Sequence, residues 1–586
     1  MPSQRLISVT GIVLATAATA TAAPAKAVHR ANAPFRLEAL VDFVDDALDT
    51  AFTVDHVESM MAALAGMGVS RVSWAYYGDG HGGYFIPAGL DGRWSNLAKT
   101  YAVLGNPLRV AAAAAHRHGM ELYAYYKPYE TGAPVALAEG SPEARAYGRL
   151  KQRGAWLTWL DPFVVENPHL RLRHRPDTRL TGVDPGAPIC GLRLTKKDDS
   201  PTRITAEHLQ IWSSRQNYRY ELCDLPFEVR DDIVPSPKNV RDIGGRLLTP
   251  MGAPVRTLTL TGFELNTPYV LVTTDFVDGP SDFENAGTDM LVALDAEGRE
   301  IPGVLFSGAM IYMAERINFR TWGLLFDCGY GRTLARLDAS NASGNQGLVA
   351  FARGRNDYVP GALCETEPAV QDFWLACIAE MIEAGVDGVD FRVENHSTHT
   401  EYPEDYGFND VVLAECARRG KTDDATVAAV RGEAYTAFLR RAKKTLAAQG
   451  KRLRVNLNLD WFRPEPPANR RLAYPANIDF AWRQWIDEGL FDEGILRMYA
   501  LPFDAVFTDQ IATEMISRCQ GKGIPLSVNR YIHPTSADEF DRTRQDGRFA
   551  AFILYETASY LRHGPDASCA VTHEVAREIA RRLAAE

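Results

Sequence analysis

The 586-residue sequence predicts an α/β fold, a (β/α)8 TIM barrel with an antiparallel β-sandwich domain inserted between strands 3 and 4. Three observations predict this fold. Helical segments alternate with short apolar strands, which is typical of a parallel sheet covered by helices. Polar and aromatic residues stand where many of these strands end, and a barrel brings all such ends to one mouth. The middle of the chain instead holds short β-type runs separated by turn residues.

The repeating unit of the predicted barrel is a helix, a glycine and a strand. In its first copy, Val57, Met60, Met61 and Leu64 follow the i, i+3, i+4, i+7 spacing of one helix face. Gly68 can end that helix, and an apolar strand follows it. Eight strands are predicted along the chain, at residues 37–44, 69–77, 120–126, 389–393, 453–459, 478–482, 524–529 and 551–555.

A doubly wound open sheet is the alternative arrangement of these elements. Such a sheet concentrates its ligand at one switch point, whereas the polar strand ends here are spread along the chain. No Gly-X-Gly-X-X-Gly loop follows the first strand, and the chain has no Walker loop. The polar and aromatic residues at the predicted strand ends include Asp42, Tyr76, Tyr77, Tyr125, Lys127, Glu394, Asp460, Arg483, Gln484, Asn529, Tyr531 and Glu556. Their distribution favours the barrel.

Composition and spacing divide the chain into four predicted segments. Residues 1–27 have a basic start, an apolar stretch and Ala-X-Ala-like sites, the pattern of a secretory signal peptide. Residues 35–185 are predicted to form the first part of the barrel, with a long loop after its third strand. Residues 186–325 are predicted to form the β-sandwich insert, with turns every ~8–12 residues. Residues 326–586 complete the barrel.

Charge and composition restrict the partners of the mature protein. The formal net charge is -11, so nucleic acid and anionic membrane surfaces are poor partners. No later run approaches the ~20 apolar residues of a membrane span. We therefore expect a secreted or periplasmic protein that has no membrane contact after signal cleavage. The eight cysteines include no Cys-X-X-Cys pair, which argues against a zinc ribbon. The sequence does not indicate an oligomeric state.

Residues 385–396, Gly-Val-Asp-Gly-Val-Asp-Phe-Arg-Val-Glu-Asn-His, carry the densest group of candidate catalytic residues. Because side chains alternate along a strand, Asp390, Arg392 and Glu394 share one face, which in a barrel is the interior. Glu394 is furthest along and is predicted to reach the mouth, where barrel enzymes hold their catalytic groups. Arg392 beneath it can keep a neighbouring carboxylate ionised. The alternative for Asp390 and Arg392 is a structural ion-pair network.

Glycoside hydrolysis uses a second carboxylate across the scissile bond, and two strand ends offer one. Asp460 shares a strand face with Asn456 and Asn458 and precedes two aromatic residues. Glu556 ends the last strand after three apolar residues, where an acidic side chain is costly unless it has a partner or a role. We favour Glu556 over Asp460 as the partner of Glu394.

Other residues at the strand ends suit a polyhydroxylated ligand, since aromatic faces stack on sugar rings and planar polar groups bind hydroxyls. The predicted substrate-binding residues are Tyr76, Tyr77, Lys127, Asn395, His396, Asn456, Asn458, Trp482, Arg483, Gln484, Asn529 and Tyr531. His396 and His399 form a weak metal motif that lacks an obvious third ligand. Neither a metal nor another cofactor is predicted.

The sequence resembles a family of bacterial exported, glycosyl-hydrolase-like barrel proteins of the family-10-like type. The resemblance lies in residues 385–396, in Tyr406-Gly407-Phe408-Asn409 before one helix, and in Arg431-Gly432-Glu433 on the next. It covers the two barrel portions, about 35–185 and 326–586, and leaves out the β insert. It implies a sugar-cleaving barrel whose acid/base residue follows strand four, at Glu394.

Two departures from the β-glycosidase pattern leave the role of Glu394 open. Those enzymes present Asn-Glu after strand four, whereas this chain has Glu394-Asn395. They also carry a nucleophile after strand seven, where this chain has residues 529–531, Asn-Arg-Tyr. The order Arg392-Val393-Glu394 is instead similar to the Arg-X-carboxylate of α-amylase-like barrels, whose strand-four carboxylate is the nucleophile. Both comparisons imply that Glu394 takes part in catalysis.

The function predicted from the sequence is that of an exported glycoside hydrolase, which cleaves a poly- or oligosaccharide with two carboxylates at the barrel mouth. A carbohydrate is therefore the expected partner. The alternatives are a non-catalytic glycan-binding barrel, a metal-dependent hydrolase and a polysaccharide lyase. The sugar, its linkage and the stereochemical course are not determined by the sequence.

Overall fold

The computed structural model describes a large part of the chain. The described residues are 34–47, 49–77, 92–131, 134–137, 155–158, 161–176, 187–196, 198–214, 221–241, 247–267, 269–274, 291–301, 324–327, 332–335, 358–393, 403–464, 477–498 and 501–585. The predicted signal peptide and the site residues Glu394, Asn395 and His396 lie outside them, and their predictions stay untested.

Eight parallel strands, joined in chain order, close into a barrel. They are β1 (Arg36–Val41), β2 (Val69–Ala75), β3 (Glu121–Tyr126), β4 (Gly388–Phe391), β5 (Arg452–Asn458), β6 (Glu493–Arg497), β7 (Leu526–Tyr531) and β8 (Ala551–Tyr555). The last strand pairs with the first in parallel, from Arg36 opposite Ala551 to Ala39 opposite Leu554. The prediction of a closed barrel is confirmed, and the open sheet is excluded.

One helix follows each barrel strand and covers the outside of the sheet. These helices are α1 (Val54–Gly66), α2 (Pro107–Arg117), α3 (Pro368–Glu383), α4 (Asp424–Ala448), α5 (Trp482–Glu488), α6 (Gln510–Lys522), α7 (Ser536–Asp546) and α8 (Glu574–Ala584). Further helices are Phe43–Ala47, Gly92–Leu104, Pro162–Glu166, Asp410–Arg418 and Ala505–Thr508, and short 3-10 turns are Pro168–Leu170, Ala206–His208, Pro403–Asp405 and Thr557–Ser559.

Local sequence explains where several of these helices begin and end. Asn106 caps α2 by accepting a hydrogen bond from the Arg109 N–H, and Pro107 occupies the first turn. Asp509 caps α6 in the same way, and Gly523 ends it in the left-handed conformation. Phe391 of β4 faces the helix layer, since its ring stacks on Phe438 of α4 at 5.7 Å. The alternation predicted for β4 is therefore present.

The sixth barrel strand differs from the prediction. Residues 478–482 were expected to form it, but residues 478–481 lie in a loop, Trp482 begins α5, and the strand is Glu493–Arg497. A short apolar run does not distinguish a strand from a buried helix start, and this one was assigned wrongly. The signal for the correct strand is Gly489, which ends α5 at φ 66° in the helix–glycine–strand order seen elsewhere.

The described residues between β3 and β4 form antiparallel sheets. The largest has the order Glu228–Pro235, Pro254–Leu265, Ile189–Thr195 and Leu291–Leu294. A three-stranded sheet has the order Tyr269–Thr274, Leu209–Ser214 and Glu221–Leu222. Two pairs of strands are Val240–Arg241 with Leu247–Thr249 and Arg171–Arg173 with Tyr358–Leu363. A further sheet has the order Leu324–Asp327, Arg332–Ala335, Ala155–Thr158 and Pro134–Leu137. The antiparallel insert is thus present, while its packing as a sandwich and the predicted domain boundaries stay predictions.

Two short strands, Leu561–His563 and Cys569–Val571, form a hairpin between β8 and α8. No helix among the described residues is both long and apolar enough to cross a membrane.

Candidate active site

Side chains that point into the barrel form two polar clusters, one below the other. The lower cluster, near the amino ends of the strands, consists of Glu38, Arg71, Arg454 and Glu493. The mouth cluster, near the carboxyl ends, consists of Asp42, Asp45, Tyr77, Lys127, Arg392, Arg497, Asn529, Tyr531, Tyr555 and Glu556. Each cluster draws residues from several strands, so barrel closure assembles both.

The lower cluster is an ion-pair network. Arg71 Nη1 lies 2.6 Å from Glu493 Oε2, and Arg454 Nη1 lies 2.7 Å from Glu38 Oε2. Burial alone would raise the pKa of each glutamate, but the two guanidinium groups outweigh it and lower both, that of Glu493 to about 2. Tyr123 covers the network, with its ring centroid 4.3 Å from Arg71 Cζ. These contacts fill the barrel floor, so we assign this cluster a structural role.

Asp390 lies between the two clusters and is fully enclosed. Its carboxylate accepts hydrogen bonds from Ser73 Oγ at 3.2 Å and from Asn456 Nδ2 at 2.5 Å. Burial raises the pKa of Asp390 to about 6, although Arg454 opposes the shift. Asp390 and Asn456 are each 1% exposed, so neither can touch a ligand at the mouth. These hydrogen bonds favour the alternative that Asp390 has a structural role.

Two arginines form the base of the mouth cluster. Arg392 Nη1 donates to Tyr125 OH at 2.8 Å and also to Tyr555 OH. Arg497 Cζ lies 4.1 Å from the centroid of the Tyr555 ring, and Arg497 Nη1 donates to Asn529 Oδ1 at 3.1 Å. Because planar guanidinium groups bond and stack at the same time, Tyr555 is held from two sides. The base of the mouth is therefore a fixed surface.

Glu556 is the acidic residue of the mouth with the most distinctive geometry. It follows β8 directly, and its backbone has φ 56°, a left-handed conformation that costs a non-glycine residue of order 1–3 kcal/mol. Tyr531 OH donates to Glu556 Oε1 at 3.1 Å. Burial and the negative charge of Asp42 raise the pKa of Glu556, although Arg392 and Arg497 oppose the shift. A half-buried carboxyl with a raised pKa is a candidate general acid.

Asp42 and Lys127 form an ion pair beside this carboxyl. Tyr77 OH donates to Asp42 Oδ1 at 2.7 Å, and Lys127 Nζ lies 3.7 Å from Asp42 Oδ2. Lys127 also lies 3.3 Å from Glu130. Burial alone would lower the pKa of Lys127, but Glu130 and Asp42 outweigh it and raise the pKa. The buried lysine therefore stays charged and balances part of the negative charge at the mouth.

Asp45 is the most solvent-exposed acid of the mouth cluster. It lies on the short helix Phe43–Ala47, directly after β1. Its side chain is exposed to solvent. Partial enclosure by neighbouring protein atoms and the negative charges of Asp42 and Glu556 raise the pKa of Asp45. A ligand at the mouth would meet Asp45 and Glu556 together.

The structure brings together part of the predicted site and separates the rest. The predicted residues that meet in the mouth cluster are Tyr77, Lys127, Arg392, Asn529, Tyr531 and Glu556. Those located elsewhere are Asp390, Asn456, Asn458, Asp460, Tyr76, Trp482, Arg483 and Gln484.

Asp460 and Asn458 close the turn after β5. Asn458 Oδ1 accepts the backbone N–H groups of Asp460 at 2.9 Å and Trp461 at 3.2 Å. Asp460 Oδ1 accepts the N–H of Leu501 at 3.3 Å. Both side chains are 0% exposed. Of the two predicted partner carboxylates, Glu556 is therefore the one placed to contact a ligand.

Tyr76 belongs to the helix layer. Its hydroxyl donates to Glu380 of α3, and its ring contacts Tyr126 edge-on at 5.8 Å. Since neighbouring residues at a strand end face opposite ways, only Tyr77 of the pair points to the mouth. The expectation that both tyrosines bind substrate is not supported by this arrangement.

Trp482, Arg483 and Gln484 lie on α5, outside the barrel. Arg483 Nη2 donates to Glu514 of α6 at 2.6 Å, and Gln484 donates to Glu488 on its own helix at 2.6 Å. These residues line an outer groove of about 520 Å³ next to the turn after β5. Their predicted position at the mouth depends on a strand at residues 478–482, so it is corrected together with that strand.

Sequence reasoning missed several members of the mouth cluster. Arg497 was missed because its strand was assigned elsewhere, and it ends β6 as Arg392 follows β4. Tyr555 directly precedes Glu556 and was read as an apolar strand residue. Asp45 lies one helical turn beyond Asp42, so a search for acidic residues just after strand ends would have found it.

Among the described residues, no group of three or more His, Cys, Asp or Glu side chains is arranged to hold a metal ion. His396 and His399 lie outside these residues.

Comparison with known proteins gives distant likenesses to solved structures. No family model and no curated protein matches the chain. The catalytic domain of β-amylase from Paenibacillus polymyxa matches with 9% identity and TM-score 0.36, over 94% of this chain and 98% of that one. A GH20 exo-β-N-acetylglucosaminidase from Vibrio harveyi matches with 9% identity and TM-score 0.32, over 94% and 56%.

The glycoside hydrolase domain of PelA from Pseudomonas aeruginosa matches with 13% identity and TM-score 0.20 over 34% of this chain. The chain spans 64% of that domain's length. At these TM-scores the likenesses carry no argument about this protein, whose barrel is shown by its own strand pairing.

Proposed function

We propose that the protein is an exported glycoside hydrolase in which Glu556 donates a proton to the glycosidic oxygen. One observation carries the proposal: a half-buried carboxyl with a raised pKa lies at the barrel mouth, on a strained backbone, bonded to the Tyr531 hydroxyl and near Arg392 and Arg497. Barrel enzymes hold their catalytic groups at this end of the strands. A glycosidase requires a carboxyl group that is still protonated near its working pH.

The chemistry assigned to Glu556 is general acid catalysis. Its proton passes to the leaving oxygen as the bond from that oxygen to the anomeric carbon breaks. The hydrogen bond from Tyr531 OH to Glu556 Oε1 orients the carboxyl group, leaving Oε2 to face the ligand. The guanidinium groups of Arg392 and Arg497 stabilise the carboxylate that remains.

The second carboxylate in the proposal is Glu394, as predicted from the sequence. It lies outside the described residues, and its support is its position two residues beyond Arg392, whose side chain reaches the base of the mouth. Glu394 acts either as the nucleophile or as the base that takes a proton from the attacking water. Asp45, exposed at the same mouth, is the described residue that could replace it in either role.

The half-buried residue Tyr531 suits a sugar, because it presents a ring face and a hydroxyl. Tyr555, Asn529 and Lys127 are nearly fully buried and support the mouth from within the barrel. We therefore propose a poly- or oligosaccharide as the substrate. Export through residues 1–27 is part of the same proposal, since long polysaccharides are met outside the cell.

The test begins with a panel of soluble xylan, β-glucan, starch, polygalacturonate and alginate, assayed for new reducing ends. We expect one of them to be cleaved, and Glu556→Gln to lower kcat by ~10²–10⁴-fold, the usual contribution of an acid–base group. Glu578→Gln is the matched control, because Glu578 pairs with Arg581 and Arg582 on the surface of α8. A Glu556→Gln enzyme with unchanged kcat would exclude the assignment.

A leaving-group series tests the role of Glu556 as an acid. The dinitrophenolate leaving group departs with little protonation of its oxygen, whereas an alkyl alcohol must be fully protonated as it leaves. The Glu556→Ala variant should therefore lose much less activity on dinitrophenyl glycosides than on alkyl ones. An equal loss on both would show that Glu556 acts in some other way.

The panel also separates the alternative functions. Binding without any new reducing ends would identify a glycan-binding barrel. Loss of activity after treatment with a chelator would identify a metal-dependent hydrolase, and an unsaturated product that absorbs in the ultraviolet would identify a lyase.

A further inference from the structure

A buried aspartate lies directly behind the mouth and joins two of its loops. Asp46 is on the short helix Phe43–Ala47, and its side chain is 0% exposed. Its Oδ2 accepts a hydrogen bond from Thr557 Oγ1 at 2.6 Å, and its Oδ1 lies 3.0 Å from His563 Nε2. One carboxylate thus binds the loop after β8 at two points.

These contacts act on the backbone of Glu556. Thr557 is the next residue, fully buried, and begins the 3-10 turn Thr557–Ser559. Ser559 closes that turn by donating its N–H at 3.0 Å and its hydroxyl at 2.7 Å to the Glu556 carbonyl oxygen. A glutamate keeps a left-handed backbone conformation only where the surrounding structure holds it there. The buried Thr557, next to Glu556, provides that support.

The other end of the connection is the loop with the remaining mouth acids. Asp45 and Asp46 are neighbours on one helical turn, whose first backbone bond runs from the Asp45 N–H to the Asp42 carbonyl at 2.9 Å. Asp46 therefore joins the segment that carries Asp42 and Asp45 to the segment that carries Glu556. The separation of these three carboxyl groups depends on that bond, and so does the charge environment of Glu556.

We infer that Asp46, Thr557 and His563 are positioning residues, which hold Glu556 at the distance from Asp42 and Asp45 that its role as an acid requires. The inference rests on the proposed function for its catalytic meaning, but the position of Glu556 is testable without a substrate. Asp46 itself is enclosed and does not touch a ligand.

The experiment measures the titration of Glu556 by carbon-13 NMR in protein labelled at the glutamate carboxyl carbon, with Glu556→Gln used to assign the signal. In Thr557→Val the hydroxyl is lost at nearly constant volume, so the loop should relax and expose the carboxyl. We expect the pKa of Glu556 to fall towards that of an exposed glutamate. Thr557→Ser restores the hydroxyl and should restore the wild-type titration.

Two further variants make the result specific. Thr543→Val removes an equally buried hydroxyl, which bonds to the Glu539 carbonyl within α7, and should leave the titration unchanged. His563→Phe removes the second bond to Asp46 and keeps a ring against Phe52, whose centroid lies 4.7 Å away. It should shift the titration in the same direction as Thr557→Val. It also replaces Thr557→Val in the test if that variant does not fold.

On a cleaved polysaccharide from the panel, Thr557→Val should lower kcat by ~10–100-fold, the cost of a small misplacement, with KM changed less than about twofold. An unchanged Glu556 titration in both Thr557→Val and His563→Phe would overturn the inference, whatever the activity. A wild-type enzyme that cleaves no glycan would instead overturn the proposed function, while the titration would still decide whether Thr557 and His563 position Glu556.

Discussion

The lower cluster and the mouth cluster both contain acidic and basic side chains, yet the pKa values of their carboxyl groups shift in opposite directions. In the lower cluster, Arg71 and Arg454 lower the pKa values of Glu38 and Glu493. At the mouth, burial and neighbouring acids raise those of Asp45 and Glu556. The difference lies in the partners, since each lower glutamate contacts a guanidinium group while the mouth acids meet one another.

This difference in pKa gives the two clusters opposite effects on stability as the pH changes. A carboxylate with a lowered pKa stabilises the folded protein above its unfolded pKa, and that stability is lost as the pH falls through its folded pKa. A carboxyl with a raised pKa contributes stability below its unfolded pKa, and this is lost as the pH rises through the folded pKa. At neutral pH the lower cluster therefore stabilises the fold, while Glu556 at the mouth has a strained backbone and a raised pKa.

The largest expected effect comes from breaking the lower cluster. Glu38→Leu leaves the guanidinium group of Arg454, 0% exposed, without its nearest carboxylate. We expect the free energy of unfolding to fall by about 3–5 kcal/mol, as measured by urea denaturation at pH 7. A loss below about 1 kcal/mol would show that the cluster is not a stabilising network.

Asp390, between the clusters, should give the next largest effect. Its pKa is raised from 3.8 to about 6, so the stability it contributes is present below about pH 4 and is lost as the pH rises through 6. The difference is worth about 3 kcal/mol. Asp390→Asn should remove this loss, because Ser73 Oγ can accept from the new amide as readily as it now donates to the carboxylate.

The measurement for Asp390 is the unfolding free energy of wild type and variant at pH 4, 5, 6 and 7. As the pH rises, the unfolding free energy of Asp390→Asn should increase relative to that of the wild type. A gap that does not change with pH would contradict the assignment of the raised pKa to this residue.

Removing the charge of Glu556 should stabilise the folded protein, whereas removing that of Glu38 should destabilise it. Glu556→Gln keeps the acceptor for Tyr531 OH and removes a carboxyl whose ionisation is opposed by burial and Asp42. We expect a stability gain of about 0.5–2 kcal/mol at pH 7, the range typical of relieving a functional site. The gain should shrink as the pH falls below the ordinary glutamate value of 4.5, and a loss of stability at pH 7 would contradict the comparison.

The smallest effect is expected at the surface. Arg440 and Glu488 form a two-point ion pair between α4 and α5, with both side chains exposed by more than a third. Glu488→Gln should cost less than about 1 kcal/mol, since water and salt screen an exposed pair. It is the control for Glu38→Leu, because it removes a glutamate from an arginine outside the barrel. A cost as large as that of Glu38→Leu would mean that burial is not the source of the difference.

Much of the barrel was predictable from local patterns. Seven of the eight strands were predicted close to their observed positions, because a helix, a glycine and an apolar run give a repeated local signal. The sixth was wrong, since the apolar run at 478–482 precedes a short helix whose buried residues Trp482, Trp485 and Ile486 fit either assignment. The sequence contains the correct signal at Gly489, which lies between the helix and the observed strand.

The candidate site was predictable only in part. Alternation correctly placed Asp390 and Arg392 on one face, and Glu556 was recognised as a costly acid at a strand end. The sequence did not distinguish Asp460, which accepts a backbone N–H in a buried turn, from Glu556, which faces the mouth. Both end an apolar strand, and the difference arises from loops that are distant in the chain.

The amino-acid sequence by itself determined the strand and helix periodicity, and thereby the barrel and the direction in which each strand residue points. Those properties depend on neighbours within a few residues. Only the tertiary structure decided that Asp42, Asp45 and Glu556 meet, and that Asp46 joins their loops across 511 positions. Because a pKa depends on burial and on charges brought close by folding, the acid at the mouth could be identified only after the barrel had closed.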